Sequence, residues 1–147
     1  MSYNQILVPV DGSQISFSAV KTAAQIAKAF NSKLTLISLV AEDPFTDADF
    51  YYSSAIMKEY FVQAHENATK SLADALEIAK AEDVDAETQV IKGQVSAEGI
   101  AETASELKAD LIVMGSHGRK GFQKMLLGSF AQDVLRNTEL PVLIIKS

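Results

Sequence analysis

Four residues near the end of the chain have the types and the spacing of a phosphate-binding loop. Two residues separate Gly115 from Gly118, and nine residues separate Gly118 from the pair Gly128 and Ser129. Glycines let the backbone approach a ligand closely and take the positive φ angles of tight turns. A helix that opens at Gly128-Ser129 would offer free amides and a positive dipole end to an anion. The spacing therefore predicts a phosphate cradle; the alternative is that the glycines only turn a loop and Ser129 only caps a helix.

Three basic residues, Arg119, Lys120 and Lys124, lie within that spacing. The chain as a whole is acidic, with 13 basic and 19 acidic residues and a net charge of -6. This balance argues against nucleic-acid binding, which needs a basic surface to displace counterions. A basic cluster in an acidic chain indicates a local anion site, although a solvated loop that happens to be basic would look the same.

Several other chemistries are excluded because their motifs are absent from the sequence. There is no G-x-x-x-x-G-K-[ST] loop, no G-x-G-x-x-G after the first strand and no G-x-S-x-G elbow. There are no cysteines, so disulfides and thiolate metal sites are ruled out. The two histidines are too few for a histidine-based metal site. We expect His65 to lie on a helix surface, and His117 is the only candidate general base near the phosphates.

Strands and helices that alternate along the chain must position these loops. Apolar runs predict strands at residues 6–10, 34–40, 86–91, 111–114 and 142–145. Spacings of three and four predict a first helix with a buried face of Phe17, Val20, Ala24, Ala27 and Phe30. A long helix from about residue 51 to 81 follows, with a predicted buried stripe of Met57, Tyr60, Ala64, Ala68, Leu72, Leu76 and Ala79. A shorter helix starting at Ser96 is buried through Ile100, Ala104 and Leu107, and a last one covers residues 129–137.

This order predicts one α/β domain over residues 1–147, a doubly wound five-stranded parallel sheet with helices on both faces. Ligands of such sheets bind outside the carboxyl ends of the strands, which directs attention to residues 9–13 and 115–118. No apolar stretch approaches the roughly 20 residues that span a bilayer, and no signal peptide is recognisable. We expect a cytoplasmic protein with no membrane insertion.

The motif Met114-Gly115-Ser116-His117-Gly118, followed nine residues later by Gly128-Ser129, resembles the nucleotide-binding motif of the universal stress protein family. Residues 6–13 are similar to the first strand and loop of that family, and residues 141–145 to its last strand. The resemblance covers essentially the whole chain. It implies a Rossmann-like, adenine nucleotide alpha hydrolase-like fold with strand order 3-2-1-4-5. It also implies the ATP-binding branch, since the other branch lacks the glycine motif.

The resemblance implies ATP and Mg²⁺ as ligands and assigns residues to them. The backbone of Leu39 or Val40 would meet the adenine edge, Asp11 would lie near the ribose hydroxyls or a phosphate-bound metal, and Gly115 would approach the ribose. Mg²⁺ would be carried mainly by ATP itself. The implied nucleotide-binding residues are Pro9, Val10, Asp11, Leu39, Val40, Met114, Gly115, Gly118, Arg119, Gly128, Ser129 and Phe130, the last five holding phosphates.

The resemblance also implies a homodimer that pairs the last strands, formed by Val142, Leu143, Ile144 and Ile145. An apolar edge strand of this kind needs a cover; burial within one subunit is the alternative. The leading functional hypothesis is a nucleotide-dependent sensor or regulator in a stress response, with an unidentified protein partner and no catalytic residue. The alternatives are a slow ATPase or nucleotidyl-transfer enzyme, and an interaction module without a ligand. Residues 41–54 could close over the nucleotide or contact a partner.

Overall fold

Five parallel strands form the sheet of this protein, in a computed structural model that describes residues 3–41, 55–93, 95–117 and 127–146. The strands are β1 (Gln5–Pro9), β2 (Lys33–Ala41), β3 (Ala86–Gly93), β4 (Leu111–Gly115) and β5 (Val142–Ile145). They alternate with helices α1 (Gln14–Phe30), α2 (Ala55–Ala81), α3 (Ala97–Glu106) and α4 (Ser129–Asn137). The sheet order is β3-β2-β1-β4-β5, which confirms the predicted fold.

Each face of the sheet carries its own apolar core. Ile6 and Val8 of β1 pack toward α1 and α2, whereas Leu7 between them packs toward α3 and α4. This alternation follows from the strand geometry, in which successive side chains point to opposite faces. Because both faces are covered, β1 and β4 contain continuous apolar runs, as the sequence of β4 had indicated.

The switch point of the sheet lies between β1 and β4. From β1 the chain moves outward to β2 and β3, and it then returns across the sheet to β4 on the other side of β1. Pro9 ends β1, where its missing N–H is not needed, and the amide of Val10 still donates to the carbonyl of Ile37 at 2.7 Å. The carboxyl ends of β1, β2 and β4 therefore meet at one edge.

The predicted buried face of α1 is correct at its centre and wrong at its end. Val20, Ala24 and Ala27 are buried, but Phe30 is 44% exposed. Phe30 is the last helical residue and meets the ring of Tyr3 edge to face, with centroids 5.6 Å apart. It lies beside the residues that lead into β1, at the amino edge of the sheet, where the core has ended.

The predicted stripe of α2 is correct only at some positions of its second half. Ala68, Leu72 and Ala79 are buried, whereas Leu76 is partly exposed and its neighbour Ala75 is fully buried instead. Tyr60 is 62% exposed, so its assignment to the core was wrong. Tyr60 lies at the carboxyl edge of the sheet, near Leu39 and Gly115. Residues 42–54 and the side chain of Met57 lie outside the described part of the chain.

None of the helices in the described ranges combines the length and the apolar character needed to cross a membrane.

Candidate functional site

A cavity of about 450 Å³ lies at the carboxyl edge of the sheet, across the ends of β1, β2 and β4. Its size is within the range of small-molecule pockets, roughly 300–1,000 Å³. The two loops expected to carry the site and the end of β2 come together here, with α2 on one side and α3 and α4 on the other. The predicted residues in its wall are Pro9, Val10, Asp11, Leu39, Val40, Met114, Gly115 and Phe130.

The remaining predicted residues are placed differently. Gly128 and Ser129 are not in the wall, although they directly precede Phe130 and Ala131, which are. Gly118 and Arg119 fall outside the described residues, as do Lys120 and Lys124. The structure therefore describes the two ends of the predicted phosphate cradle, around Gly115 and around Gly128.

The loop after β1 holds one carboxylate in a fixed position at the cavity. Asp11 Oδ1 accepts from the amide of Ser13 at 2.9 Å and from the Ser13 hydroxyl at 2.5 Å. Gly12 between them has a φ of 83°, a conformation that glycine adopts without strain. Within the described ranges, no group of three or more His, Cys, Asp or Glu side chains could hold a metal ion. Among the described residues that line the cavity, Asp11 is the one carboxylate.

Hydrogen bonds to Ser116 bring the two ends of the glycine segment together. The amide of Gly128 donates to the carbonyl of Ser116 at 2.7 Å, and the Ser116 amide donates to the carbonyl of Ile145 at 2.8 Å. The Ser116 hydroxyl lies 3.1 Å from Nδ1 of His117, whose side chain lines the cavity. The start of α4 is thereby fixed against the end of β4.

The amino terminus of α4 is the one predicted to receive an anion, and it has no side-chain cap. Its N-cap residue is Gly128, whereas Ser13 and Ser96 cap α1 and α3 through their hydroxyls. The first backbone hydrogen bond of α4 runs from the amide of Gln132 to the carbonyl of Gly128. The three amides before it, those of residues 129–131, have no capping acceptor in the described part of the chain. Ser129 is therefore the first helical residue, not the cap.

Both described glycines of the motif have a packing reason that the sequence did not reveal. A Cβ on Gly115 would lie 2.9 Å from Cγ2 and 3.0 Å from Cγ1 of Ile15, at the start of α1. A Cβ on Gly128 would lie 2.9 Å from the carbonyl oxygen of Ser116. Contacts this short do not occur without a shift of the neighbour. The glycines allow α1 and α4 to approach β4 closely, whether or not a ligand is bound.

The sequence reasoning missed the wall that α2 and its neighbours contribute. The polar residues of this wall are Ser16, Ser38, Tyr60, Asn67 and Ser71. Polar residues on a long helix suggest a solvated surface, and nothing in their spacing showed that α2 would lean over the strand ends. The sequence did single out Tyr60, but as a member of the buried stripe of the helix. The core does not extend to Tyr60, which lines the cavity instead.

An open parallel sheet with a cavity beside its switch point defines a doubly wound α/β protein of the class that binds ligands at its strand ends. Residues 2–146 match the model of the universal stress protein family. The chain belongs to that family, as its glycine motif had predicted.

Relatives of the family cover nearly the whole chain. The universal stress protein MJ0531 of Methanocaldococcus jannaschii is 36% identical over 144 residues, which are 98% of this chain and 82% of that protein. The universal stress protein YxiE of Bacillus subtilis is 31% identical over 148 residues, covering 98% of this chain and 99% of the relative.

Solved structures of the family share the fold. A universal stress protein in complex with cAMP is 31% identical, with a TM-score of 0.67 over 99% of this chain and 98% of its own. Universal stress protein UspA from Lactobacillus plantarum has a TM-score of 0.82 over 99% of each chain, at 23% identity. The second likeness shows the fold alone.

Proposed function

We propose that the cavity binds an adenine nucleotide, ATP with Mg²⁺, and that this protein acts as a nucleotide-dependent regulator in a stress response. The observation that carries the proposal is that one cavity connects apolar strand ends with the uncapped amino terminus of α4. An apolar slot suits the faces of a base, and free helical amides suit phosphate. One elongated ligand with a base at one end and phosphates at the other satisfies both.

The base and the ribose fit the part of the cavity between β1, β2 and β4. Val10, Leu39 and Met114 lie on three neighbouring strand ends and present apolar side chains to the cavity. Asp11 is held at the end of β1 by its bonds to Ser13, which orients a carboxylate for ribose hydroxyls. A relative that is 31% identical binds cAMP, which supports an adenine nucleotide as the ligand class.

The phosphates fit at the α4 end. Amides of the first turn donate there, the Ser129 hydroxyl is exposed beside them, and Gly118 and Arg119 belong to the segment that starts and ends at this point. Bound Mg²⁺ would be coordinated mainly by the phosphates, with Asp11 as the carboxylate within the described residues that lines the cavity. A single protein carboxylate is the usual situation for Mg²⁺ bound with a nucleotide.

The inferred regulatory role rests on a cavity whose described residues supply binding groups and no evident hydrolytic group. Of the histidines, His117 lines the cavity, and its Nδ1 pairs with the Ser116 hydroxyl, which suits a structural contact within the loop. Nucleotide occupancy would favour one conformation of the protein, and a cytoplasmic protein partner would recognise that state. Such a switch requires that the two conformations differ in their affinity for the nucleotide.

The function is tested by calorimetric titration of the purified protein with ATP, ADP, AMP and cAMP, each with and without Mg²⁺. We expect saturable one-site binding of ATP and hydrolysis no faster than the spontaneous rate. Absence of binding by every nucleotide would favour an interaction module without a ligand. Rapid turnover that is lost in His117→Ala, or formation of AMP and pyrophosphate with an acceptor, would favour an enzyme.

We further propose that β5 forms the dimer interface. It is an edge strand of the sheet, and Leu143 on it is 37% exposed. Leu143→Glu places a charge on this edge, and we expect the protein to sediment as a monomer with its fold retained. Val62→Glu makes the same change at a 50% exposed position on α2 and should leave the dimer intact. A wild-type monomer, or a dimer that survives Leu143→Glu, would contradict the proposal.

A further inference from the structure

Two buried serines of the cavity wall have hydroxyls that form no hydrogen bond with another described residue. Ser38 on β2 is 6% exposed and Ser71 on α2 is 9% exposed, and both line the cavity. Neither hydroxyl has a hydrogen bond to another residue in the described ranges, and no buried side-chain atom there is left both sealed and unpaired. Both hydroxyls therefore reach the open space of the cavity.

The hydroxyls of the other buried serines in this region, unlike those of Ser38 and Ser71, have partners within the protein. The Ser16 hydroxyl also lines the cavity, but it donates to the carbonyl of Ser13 at 2.8 Å. The Ser116 hydroxyl pairs with His117. Buried polar groups in proteins are nearly always hydrogen-bonded, because an unpaired one costs free energy. The hydroxyls of Ser38 and Ser71 are therefore available to form hydrogen bonds with a ligand in the cavity.

The two serines lie together on the α2 side of the sheet. Leu34 and Leu36 of β2 pack in the core under α1 and α2, and strand alternation places Ser38 on the same face. Ser71 directly precedes Leu72, which is buried in that same core. Strand β2 and helix α2 thus contribute one hydroxyl each to the same lobe of the cavity.

The described residues of this lobe are uncharged. Its other walls are Val40, Ala64, Asn67 and Ala68, and no lysine or arginine of the described residues lines any part of the cavity. Asn67 Oδ1 accepts from Gln63 Nε2 at 3.0 Å, which leaves the Asn67 amide nitrogen as a donor. Neutral donors and acceptors in a cationless lobe suit an uncharged polar group and not a phosphate.

We propose that Ser38 and Ser71 recognise the polar edge of the nucleotide's base, an inference that rests on the proposed binding of an adenine nucleotide. With the phosphates at α4, the ligand extends across β1 toward β2 and α2, so its base reaches this lobe. Each hydroxyl can donate one hydrogen bond and accept two. One hydroxyl accepts from the exocyclic amine of adenine and the other donates to the adjoining ring nitrogen, beside the backbone of Leu39 or Val40 that is expected at the same edge. The two serines are specificity-determining residues, distinct from the phosphate cradle.

The test combines Ser38→Ala/Ser71→Ala with two ligands, ATP and purine riboside triphosphate, whose base lacks the exocyclic amine. Two lost hydrogen bonds should weaken ATP binding about tenfold, and the one bond left to the analogue about threefold. Alanine is a strong helix former at position 71, and thermal unfolding verifies that the double variant is folded. Thr69→Ala is the control on the same helix, since the Thr69 hydroxyl bonds to the carbonyl of His65 and lies outside the cavity.

The outcomes separate this inference from the function on which it rests. If wild type binds ATP and the folded double variant binds it within twofold of wild type, the serines do not recognise the base and the nucleotide site stands. Equal losses for ATP and for the analogue would overturn the assignment of one hydroxyl to the amine. If wild type binds no adenine nucleotide, the proposed function itself fails. A tenfold loss for ATP with a smaller loss for the analogue, and none in Thr69→Ala, supports the proposal.

Discussion

Ser129→Asp weakens ATP binding by at least about 100-fold and leaves the protein as stable as wild type or slightly more stable. The new carboxylate stands at the first helical position of α4, where we place the phosphates. Two like charges about 4 Å apart repel by roughly 4 kcal/mol at an effective dielectric of about 20, and partial exposure of this site reduces that figure. If about 2.7 kcal/mol of this repulsion remains, the affinity for ATP falls 100-fold.

The stability of the same variant changes in the opposite direction. The first turn of α4 contains no acidic residue, and its amino terminus has no side-chain cap. A carboxylate at that position complements the helix dipole and typically stabilises by about 0.3–1 kcal/mol. Lost binding therefore cannot be attributed to misfolding when thermal unfolding shows an equal or higher midpoint. Calorimetric titration with ATP and Mg²⁺ measures the affinity.

Two further variants isolate the charge at the amino terminus as the cause. Ser129→Ala removes the hydroxyl without adding charge and should cost only a few-fold in affinity. Thr138→Asp adds the same charge at the far end of α4, about 13 Å away for nine residues at 1.5 Å each. Its carboxylate can still accept from the Leu140 amide, as the Thr138 hydroxyl does. Unchanged affinity in Ser129→Asp would place the phosphates elsewhere.

The fold was predictable because its apolar patterns are strong and local. Residues 111–114 form an unbroken apolar run, and all four are buried in a strand covered on both faces. The limits of packing were not predictable, because helical periodicity identifies a face but not how far a sheet extends beneath it. Tyr60 and Phe30 were both assigned to a core, but Tyr60 lies at the carboxyl edge of the sheet and Phe30 at the amino edge. Their exposure is a property of the sheet's edges.

The candidate site was predictable where the topology alone determines it. Parallel strands bring the loops after β1, β2 and β4 to one edge, so Asp11, Leu39 and Gly115 share a cavity. The α2 wall was not predictable, because serines in a helix have the same sequence signature on a surface as in a ligand site. Ser71 is distinguished only by its burial in the cavity wall and by a hydroxyl that no other described residue hydrogen-bonds.

Gly115→Ala destabilises the protein by about 1–3 kcal/mol, and we expect much of that loss to disappear when Ile15 is also replaced by alanine. The new methyl group would lie 2.9 Å from Cγ2 and 3.0 Å from Cγ1 of Ile15, a buried residue at the start of α1. Overpacking of this kind forces neighbours to shift, at a typical cost of 1–3 kcal/mol. Ile15→Ala removes both clashing carbons and, alone, costs about 2–5 kcal/mol as a cavity.

The double variant Gly115→Ala/Ile15→Ala should therefore be less destabilised than the sum of the two single variants, with a coupling of about 1–3 kcal/mol in denaturant unfolding. Rescue remains partial because the carbonyl oxygen of His117 lies 3.2 Å from the new methyl group and is backbone. Additive losses would show that Ile15 is not the constraint. If Gly115→Ala lowered ATP affinity at unchanged stability, the glycine would serve the approach of the ligand. Coupling with Ile15 instead makes Gly115 the residue that lets α1 close on β4 and hold the two loops at one cavity.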